Sequence, residues 1–235
     1  MSLLICVKSC RRDQVRGYHQ AIRDTWGRGM TNIRFCVGDP HFLTPNQEDE
    51  IPLECADSYM DLPWKTQAIL QYSLRWPDVT HTFLIDNDTF LKPELLKTLP
   101  YLEYDFSGYM NKLCPVGQTA GYKDHMGNYP QCHPWASGGV GYFVSRKAAE
   151  IVAATPPKVW AEDMYVGQVL GPHIQAKELT AAHLENFNEK VSWHFRRTRK
   201  YREYNPEMMY RSYHLGDPNK MYDEDNCKQD FRRHG

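Results

Sequence analysis

The stretch Phe83-Leu84-Ile85-Asp86-Asn87-Asp88 is the most informative part of the chain, because an apolar strand pattern runs straight into two carboxylates. In open α/β sheets, ligands bind in the crevice outside the carboxyl ends of the strands. Carboxylate oxygens are the ligands that Mg²⁺ and Mn²⁺ prefer, and a metal of this kind bridges and neutralises a diphosphate. The alternative is a plain turn after a strand, since Asp and Asn are common turn residues.

Short apolar runs alternate with helical patterns on both sides of this strand. The expected elements are strands over 3–7, 33–37, 82–85 and 139–144, and helices over 12–26, 64–74 and 146–154. This alternation predicts an α/β fold with a mostly parallel central sheet flanked by helices. The sequence shows no internal repeat and no clear linker, so we expect a single domain over residues 1–235.

The composition is that of an ordinary globular protein. Among 235 residues, 28 Lys and Arg stand against 29 Asp and Glu, and 41% of the residues are hydrophobic. The resulting net charge of -1 argues against a dedicated nucleic-acid or anionic-membrane binder, which is usually basic. The apolar start of the chain turns charged at Lys8, too early for a signal peptide or a spanning helix, so we expect a soluble chain without a membrane span.

The seven cysteines form no Cys-x-x-Cys pair, which argues against a structural zinc site. Cys114 and Cys132 flank a long Gly- and Tyr-rich stretch over 110–135 that is typical of a functional loop. These two cysteines would form a disulfide in an oxidising compartment, whereas the odd number of cysteines favours a reducing one.

Two enzyme classes place Asp-x-Asp after an apolar strand. Phosphotransferases of the haloacid dehalogenase type require Thr or Val two residues after the second Asp, where this chain has Phe90. Nucleotide-sugar glycosyltransferases of the GT-A type require only the Asp-x-Asp after about three strands, and Asp86 and Asp88 meet that requirement. The second class therefore fits better.

Five further blocks occur along the chain: residues 19–27 (HQAIRDTWG), 57–66 (DSYMDLPWKT), 135–145 (WASGGVGYFVS), 162–167 (EDMYVG) and 183–186 (HLEN). In this order they resemble the inverting β-1,3-glycosyltransferase superfamily, glycosyltransferase family 31, which includes the β-1,3-galactosyltransferases and the Fringe proteins. The resemblance spans about residues 3–190. It implies a GT-A fold with a nucleotide-sugar half over about 1–110 and an acceptor and catalytic half over about 111–235. The chain departs from the family at Tyr18 and His19, where galactosyltransferase-type members usually carry two Arg.

The resemblance also implies roles for residues at matching positions. Asp88 would bind the metal directly, Asp86 would face the ribose or a metal-bound water, and His183 would complete the metal site. Asp163 would be the general base, although an acid there also suits the start of a helix. His194 and His214 are rival metal ligands, because geometry decides which histidine binds. The remaining expected residues are Asn87, Lys65 and Arg23 on the donor side, and Trp135, Ser137, Gly138, Gly139 and Glu162 in the cleft between donor and acceptor.

Together these features predict a metal-dependent enzyme, using Mn²⁺ or Mg²⁺, that moves a sugar from a UDP-sugar to a hydroxyl of a glycan acceptor. Inversion would give a β-linkage, of the β-1,3 type by resemblance. The aromatic residues Tyr122, Tyr129 and Trp135 are candidates for stacking on the acceptor sugar. The alternatives are a catalytically silent sugar- or nucleotide-binding module and a metal-dependent phosphatase-like enzyme. The chain would be either a cytoplasmic microbial or viral enzyme or the lumenal catalytic fragment of a Golgi-type protein.

Overall fold

The computed structural model describes residues 3–39, 41, 47–111, 124, 126–128, 130–179, 192–194 and 206–216, with only the backbone at 192–194. The strands in these ranges are β1 (Leu3–Lys8), β2 (Ile33–Gly38), β3 (Glu50–Leu53), β4 (His81–Asp86), β5 (Thr89–Leu91), β6 (Phe106–Gly108), β7 (Met110–Asn111), β8 (Trp135–Ala136), β9 (Tyr142–Ser145), β10 (Lys177–Glu178) and β11 (Ser192–His194). The helices are α1 (Arg11–Val15), α2 (Tyr18–Asp24), α3 (Leu62–Ser73), α4 (Pro93–Leu96), α5 (Arg146–Ala154), α6 (Glu162–Leu170) and α7 (Pro206–Leu215).

The central sheet has seven strands in the order β10-β6-β9-β4-β1-β2-β3. The middle strand β1 runs parallel to β2 and β4, whereas β9 runs antiparallel to both of its neighbours, β4 and β6. The register pairs Lys8, the last residue of β1, with Asp86, the last residue of β4. The predicted α/β fold with a mostly parallel, helix-flanked sheet is therefore confirmed.

The core lies on both faces of this sheet, as expected for parallel strands. Along β1, Leu3, Ile5 and Val7 point to one face, where they pack with α2 and α7. Leu4 and Cys6 point to the other face, where they pack with α3, α5 and α6. Two layers of helices thus cover the sheet and leave its carboxyl edge as the place where polar groups gather.

The predicted helix over 12–26 is wrong in one respect, since the structure divides it into α1 and α2. Gly17 separates them with a φ of 86°, a left-handed conformation that a helix interior does not contain. Val15 is 84% exposed at the end of α1. The predicted strand over 139–144 also begins later, at Tyr142, because residues 138–140 form a turn and Gly141 has a φ of 92°.

Cys132 is buried and disulfide-bonded. Its predicted partner, Cys114, lies outside the described residues, so the pairing stays a prediction. Within the described ranges, none of the helices has the length and apolar character needed to cross a membrane.

The break at Gly17 gives a direct test of the helix arrangement. Gly17→Ala should lower the free energy of unfolding by about 1–2 kcal/mol, because an L-residue is strained in the left-handed region. The added methyl group would meet only Pro206 Cγ at 4.0 Å, so the loss would come from the backbone. Urea denaturation measures it, and the exposed Gln20→Ala in α2 serves as control, with an expected change within about 0.5 kcal/mol. A Gly17→Ala protein as stable as the parent would contradict the two-helix description.

Candidate active site at the carboxyl edge of the sheet

A cavity of about 370 Å³ lies beyond the carboxyl edge of the sheet, where three segments of the chain meet. The first is the end of β1 with the start of α1, the second lies between Asp57 and Lys65, and the third is the turn from Asp86 to Asp88. This is the position at which open α/β sheets bind ligands. Four predicted site residues border the cavity together: Asp86, Asn87, Asp88 and Lys65.

Lys8 is a buried cation at the base of this cavity. Its Nζ lies 3.1 Å from Asp86 Oδ1 and 2.9 Å from Glu162 Oε2, and only 2% of its side chain is exposed. Burial alone would lower the pKa of Lys8, but the two carboxylates outweigh it and raise the pKa above its ordinary value. Lys8 is therefore charged at neutral pH and joins the turn after β4 to the start of α6.

Glu162 uses both of its carboxylate oxygens on protein groups. Oε2 accepts from Lys8, while Oε1 accepts from the Thr66 hydroxyl at 3.0 Å and from the Tyr142 hydroxyl. Gly138 approaches this carboxylate so closely that a Cβ there would lie 2.6 Å from Oε2. Glu162 is thus a fixed structural anion, and a side chain at position 138 would displace it.

Asp163 follows in the first turn of α6 but has different partners. Its Oδ1 accepts the Met164 N–H at 2.9 Å, and the Gly138 N–H also bonds to the carboxylate. Burial, aided by the charge of Glu162, raises the pKa of Asp163 above its ordinary value, against the opposing effects of Lys8 and the two N–H groups. The N-cap position of α6 is Ala161, so Asp163 lies inside the first turn rather than at the cap.

The turn between the two aspartates is held from inside the protein. Asn87 Nδ2 donates to Ser9 Oγ at 2.9 Å and to Asp13 Oδ2 at 3.0 Å, and both bonds are buried. Asp86 keeps 32% of its side chain exposed, and Asp88 borders the cavity. The Asn87 amide therefore fixes the turn in place, and the predicted contact of Asn87 with a donor stays a prediction.

A buried hydrogen-bond chain extends from this turn into the protein. Ser9 Oγ lies 2.7 Å from His19 Nε2, and His19 Nδ1 lies 2.8 Å from Glu50 Oε1. Burial lowers the pKa of His19, so the ring is neutral at pH 7. We assign its single N–H to Nδ1, where it satisfies the carboxylate and leaves Nε2 to accept from Ser9.

Arg23 lies at the far end of this chain and outside the cavity. Its guanidinium donates to Asp49 at 2.6 and 2.9 Å and to Glu50 at 2.9 Å, so carboxylates already neutralise its charge. The structure therefore does not bring Arg23 to the other predicted donor residues. Lys65 does border the cavity, but it is buried, and its Nζ donates to Asp57 Oδ1 at 2.6 Å and to the Ser9 carbonyl at 2.5 Å.

The predicted cleft residue Trp135 is buried, with 6% of its surface exposed. It packs against α6, where a Cβ on Gly167 would lie 2.6 Å from Trp135 Cβ. The expectation that Trp135 stacks on a sugar stays a prediction, and the burial of this residue in the described structure argues against it. The other two stacking candidates, Tyr122 and Tyr129, lie outside the described residues.

Ser137 and Gly139 lie on either side of Gly138 and are held by backbone groups. The Ser137 N–H donates to the Tyr109 carbonyl at 2.8 Å, and the Gly139 carbonyl accepts the Thr89 hydroxyl at 2.6 Å. With Gly138 against Glu162, this segment forms the wall between the turn after β4 and the start of α6. Its three residues were predicted to line the cleft, and the structure brings them to the side of the site that carries Asp163.

Sequence reasoning missed Lys8 as a site residue. The signal was present, since a charged residue that ends an apolar strand beside the Asp-x-Asp strand will lie at the same sheet edge. It also missed Tyr142 and Thr66, whose hydroxyls reach Glu162. No local sequence pattern around Thr66 or Tyr142 indicates that its hydroxyl would bond to a distant carboxylate.

Among the described residues, no three potential ligands converge on one metal position. Asp86 and Asp88 supply carboxylate oxygens to one cavity, which is a donor set that fits Mg²⁺ or Mn²⁺. His183 lies outside the described residues. The backbone pairing of β5 with β11 sets His194 opposite Thr89, one residue after Asp88. His214 is exposed in the last turn of α7.

The mostly parallel sheet and the acidic cavity at its carboxyl edge define an α/β protein whose candidate ligand site lies at its strand ends. The chain belongs to the Galactosyltransferase family, whose model matches residues 18–178, and it is a glycosyltransferase. That span includes the Asp86–Asp88 turn and Asp163 but ends before His183. Family membership and the seven-stranded sheet together confirm the predicted GT-A fold class.

The chain is also similar to several solved structures. A glycosyltransferase involved in the glycosylation of the major capsid of PBCV-1 is 13% identical, with 88% of this chain and 99% of that chain covered and a TM-score of 0.47. The Q189E active-site mutant of LgtC is 12% identical over 90% of this chain and 94% of that chain, with a TM-score of 0.45. HddC from Yersinia pseudotuberculosis is 12% identical over 76% and 89% of the two chains, with a TM-score of 0.37. No curated protein sequence matches the chain.

The buried position of Lys8 predicts a large effect on stability. Lys8→Met should lower the free energy of unfolding at pH 7 by about 3–5 kcal/mol, because it leaves the buried Glu162 carboxylate without its cation. The raised pKa of Lys8 means that its contribution is full at neutral pH and declines only as pH rises above the ordinary value of 10.5.

The matched control for Lys8→Met is Lys147→Met, which removes an exposed ion pair of 2.9 Å with Asp105. An exposed pair contributes no more than about 1 kcal/mol, so this variant should unfold close to the parent. Urea denaturation at pH 7 compares the two variants. Equal losses for Lys8→Met and Lys147→Met would mean that Lys8 is not the buried counter-ion described above.

Proposed function

We propose that the protein is a metal-dependent inverting glycosyltransferase that moves a sugar from a UDP-sugar to a hydroxyl of a glycan acceptor. The product would have a β-linkage, of the β-1,3 type by family resemblance. The observation that carries the proposal is the contrast between two adjacent carboxylates on α6. Glu162 is occupied by three protein donors, whereas Asp163 accepts only backbone N–H groups among the described residues and has a raised pKa. Neighbouring acids in different environments are typical of a site with an assigned base.

Asp163 would act as the general base. A carboxylate within reach of an acceptor hydroxyl can take its proton as the oxygen attacks the anomeric carbon. Glu162 and Lys8 keep the first turn of α6 in place, and the Gly138 N–H helps to orient the base. A single displacement inverts the anomeric centre, so an α-linked donor gives a β-linked product and no covalent nucleophile is required.

The charge of the cavity supports a metal requirement. Its borders carry four carboxylates and three cations, and each cation is already paired: Lys8 with Asp86, Lys65 with Asp57, and Arg12 with Asp13. A diphosphate adds negative charge that these paired cations cannot offset at full strength. A divalent ion held by Asp86 and Asp88 would supply the missing positive charge and stabilise the leaving nucleotide.

The metal requirement predicts how UDP binding responds to substitution. Titration calorimetry should show UDP binding that depends on Mn²⁺ or Mg²⁺. Asp88→Asn should weaken that binding by at least about tenfold, because replacing even a residue that only supports the metal ligands costs that much. Asp105→Asn is the control, because Asp105 pairs with Ser145 and Lys147 away from the cavity. Equal UDP binding in the presence of a chelator would refute the metal requirement.

The same titration identifies the histidine ligand. The pairing of β5 with β11 supports His194, whose backbone lies opposite Thr89. We expect His194→Ala to lose metal-dependent UDP binding and the exposed His214→Ala to keep it. A loss in His183→Ala, with His194→Ala unaffected, would assign the third ligand to the position implied by the family resemblance.

Asp163→Asn tests the base directly. It should lower sugar transfer by at least about a hundredfold while UDP binding is unchanged, because proton transfer to a positioned base contributes that much. In the parent enzyme the base must be ionised, and its raised pKa places the acid limb of kcat/KM above the ordinary Asp value of 3.8. Rates are measured over pH with the UDP-sugar that gives the largest thermal shift with Mn²⁺.

Three results, one from the variant and two from the parent protein, would contradict the proposal. Transfer at the parental rate in the variant would show that another group is the base. UDP-sugar binding with no transfer by the parent protein would favour the catalytically silent module. Phosphate release from a phosphomonoester, without UDP-sugar binding, would favour the phosphatase-like enzyme.

A further inference from the structure

Thr89 is the first residue after the Asp86–Asp88 turn, and it is completely buried. Its carbonyl accepts the indole N–H of Trp26 at 3.1 Å, and its hydroxyl donates to the Gly139 carbonyl at 2.6 Å. Thr89 therefore connects three separate segments: the turn after α2, the strand β5, and the glycine segment before β9. Trp26 and Gly139 lie 63 and 50 residues from Thr89 along the chain, so these are tertiary contacts.

Gly139 is covalently joined to Gly138, whose N–H contacts the base. The Gly138 N–H bonds to the Asp163 carboxylate, and a Cβ at Gly138 would lie 3.7 Å from Asp163 Cβ. The Gly138 carbonyl also lies 3.4 Å from Lys8 Nζ. A shift of the glycine segment would therefore move the N–H group that orients the base.

We propose that Thr89 is a positioning residue, which transmits the placement of the turn after β4 through Gly139 to the base Asp163. This inference rests on the proposed function, in which the turn holds the donor side and Asp163 serves the acceptor. The Thr89 hydroxyl sets the distance between the Asp86–Asp88 turn, which holds the donor, and Asp163, which serves the acceptor. Small displacements of a catalytic group lower the chemical rate strongly, even when ligand binding is unaffected.

Kinetic measurements test the coupling between Thr89 and the base Asp163. Thr89→Val keeps the side-chain shape but removes the hydroxyl, so kcat should fall by about tenfold, while the KM for the donor and the dissociation constant for UDP are unchanged. Thr89→Ser restores the hydroxyl and should recover kcat. Thr89→Ala removes the hydroxyl in a second way if the valine variant does not fold. The control is Thr155→Val, which removes a hydroxyl-to-carbonyl bond of 2.8 Å at the end of α5, and it should behave as the parent.

A second readout does not depend on turnover. Carbon NMR of the Asp163 carboxyl over pH should show a higher pKa in Thr89→Val than in the parent, because the Gly138 N–H then stabilises the carboxylate less. The charged groups that face Asp163, Glu162 and Lys8, are the same in both proteins.

The two readouts separate failure of the coupling from failure of the proposed function. A Thr89→Val enzyme with parental kcat and parental Asp163 pKa would overturn the coupling, as would a loss confined to UDP affinity or a Thr89→Ser enzyme as slow as Thr89→Val. If the Asp163 pKa rises in Thr89→Val but the parent transfers no sugar, the coupling stands and the proposed function fails.

Discussion

The ion pair between Lys8 and Glu162 is the constraint on which the rest of the site depends. Two charges taken out of water are stable only if each is fully paired, and Glu162 meets this condition with Lys8, Thr66 and Tyr142. Because Lys8 ends the central strand and Glu162 begins α6, their pairing fixes the helix against the sheet edge. Gly138 follows from the same constraint, since a Cβ there would enter the space between the two charges.

This constraint separates two carboxylates that are neighbours in the chain. Glu162 is buried and already accepts from three protein side chains, whereas the Asp163 carboxylate is oriented by backbone N–H groups. The backbone donors and Lys8 lower the pKa of Asp163, but burial and the charge of Glu162 outweigh them and keep the carboxylate basic.

The strands and helices that carry clear periodicity were predictable from the sequence, and α3 and α5 are examples. The break at Gly17 was not, because a glycine in a helical pattern can continue the helix or end it, and tertiary packing decides. The Asp86–Asp88 turn was predictable because strand ends and ligand sites coincide. The Lys8–Glu162 pair was not, since 154 residues separate its members and no local pattern connects them.

The departure from the family at Tyr18 and His19 also has a structural account. Both side chains are buried, and His19 lies under the sheet edge between Ser9 and Glu50 rather than in the cavity. An uncharged ring is the better occupant there, because Arg23 already supplies a cation to Glu50. A cation at position 19 would therefore lie outside the cavity. His19 also supports the Asp86–Asp88 turn, since the Ser9 hydroxyl that receives the Asn87 amide is itself held by the neutral imidazole of His19.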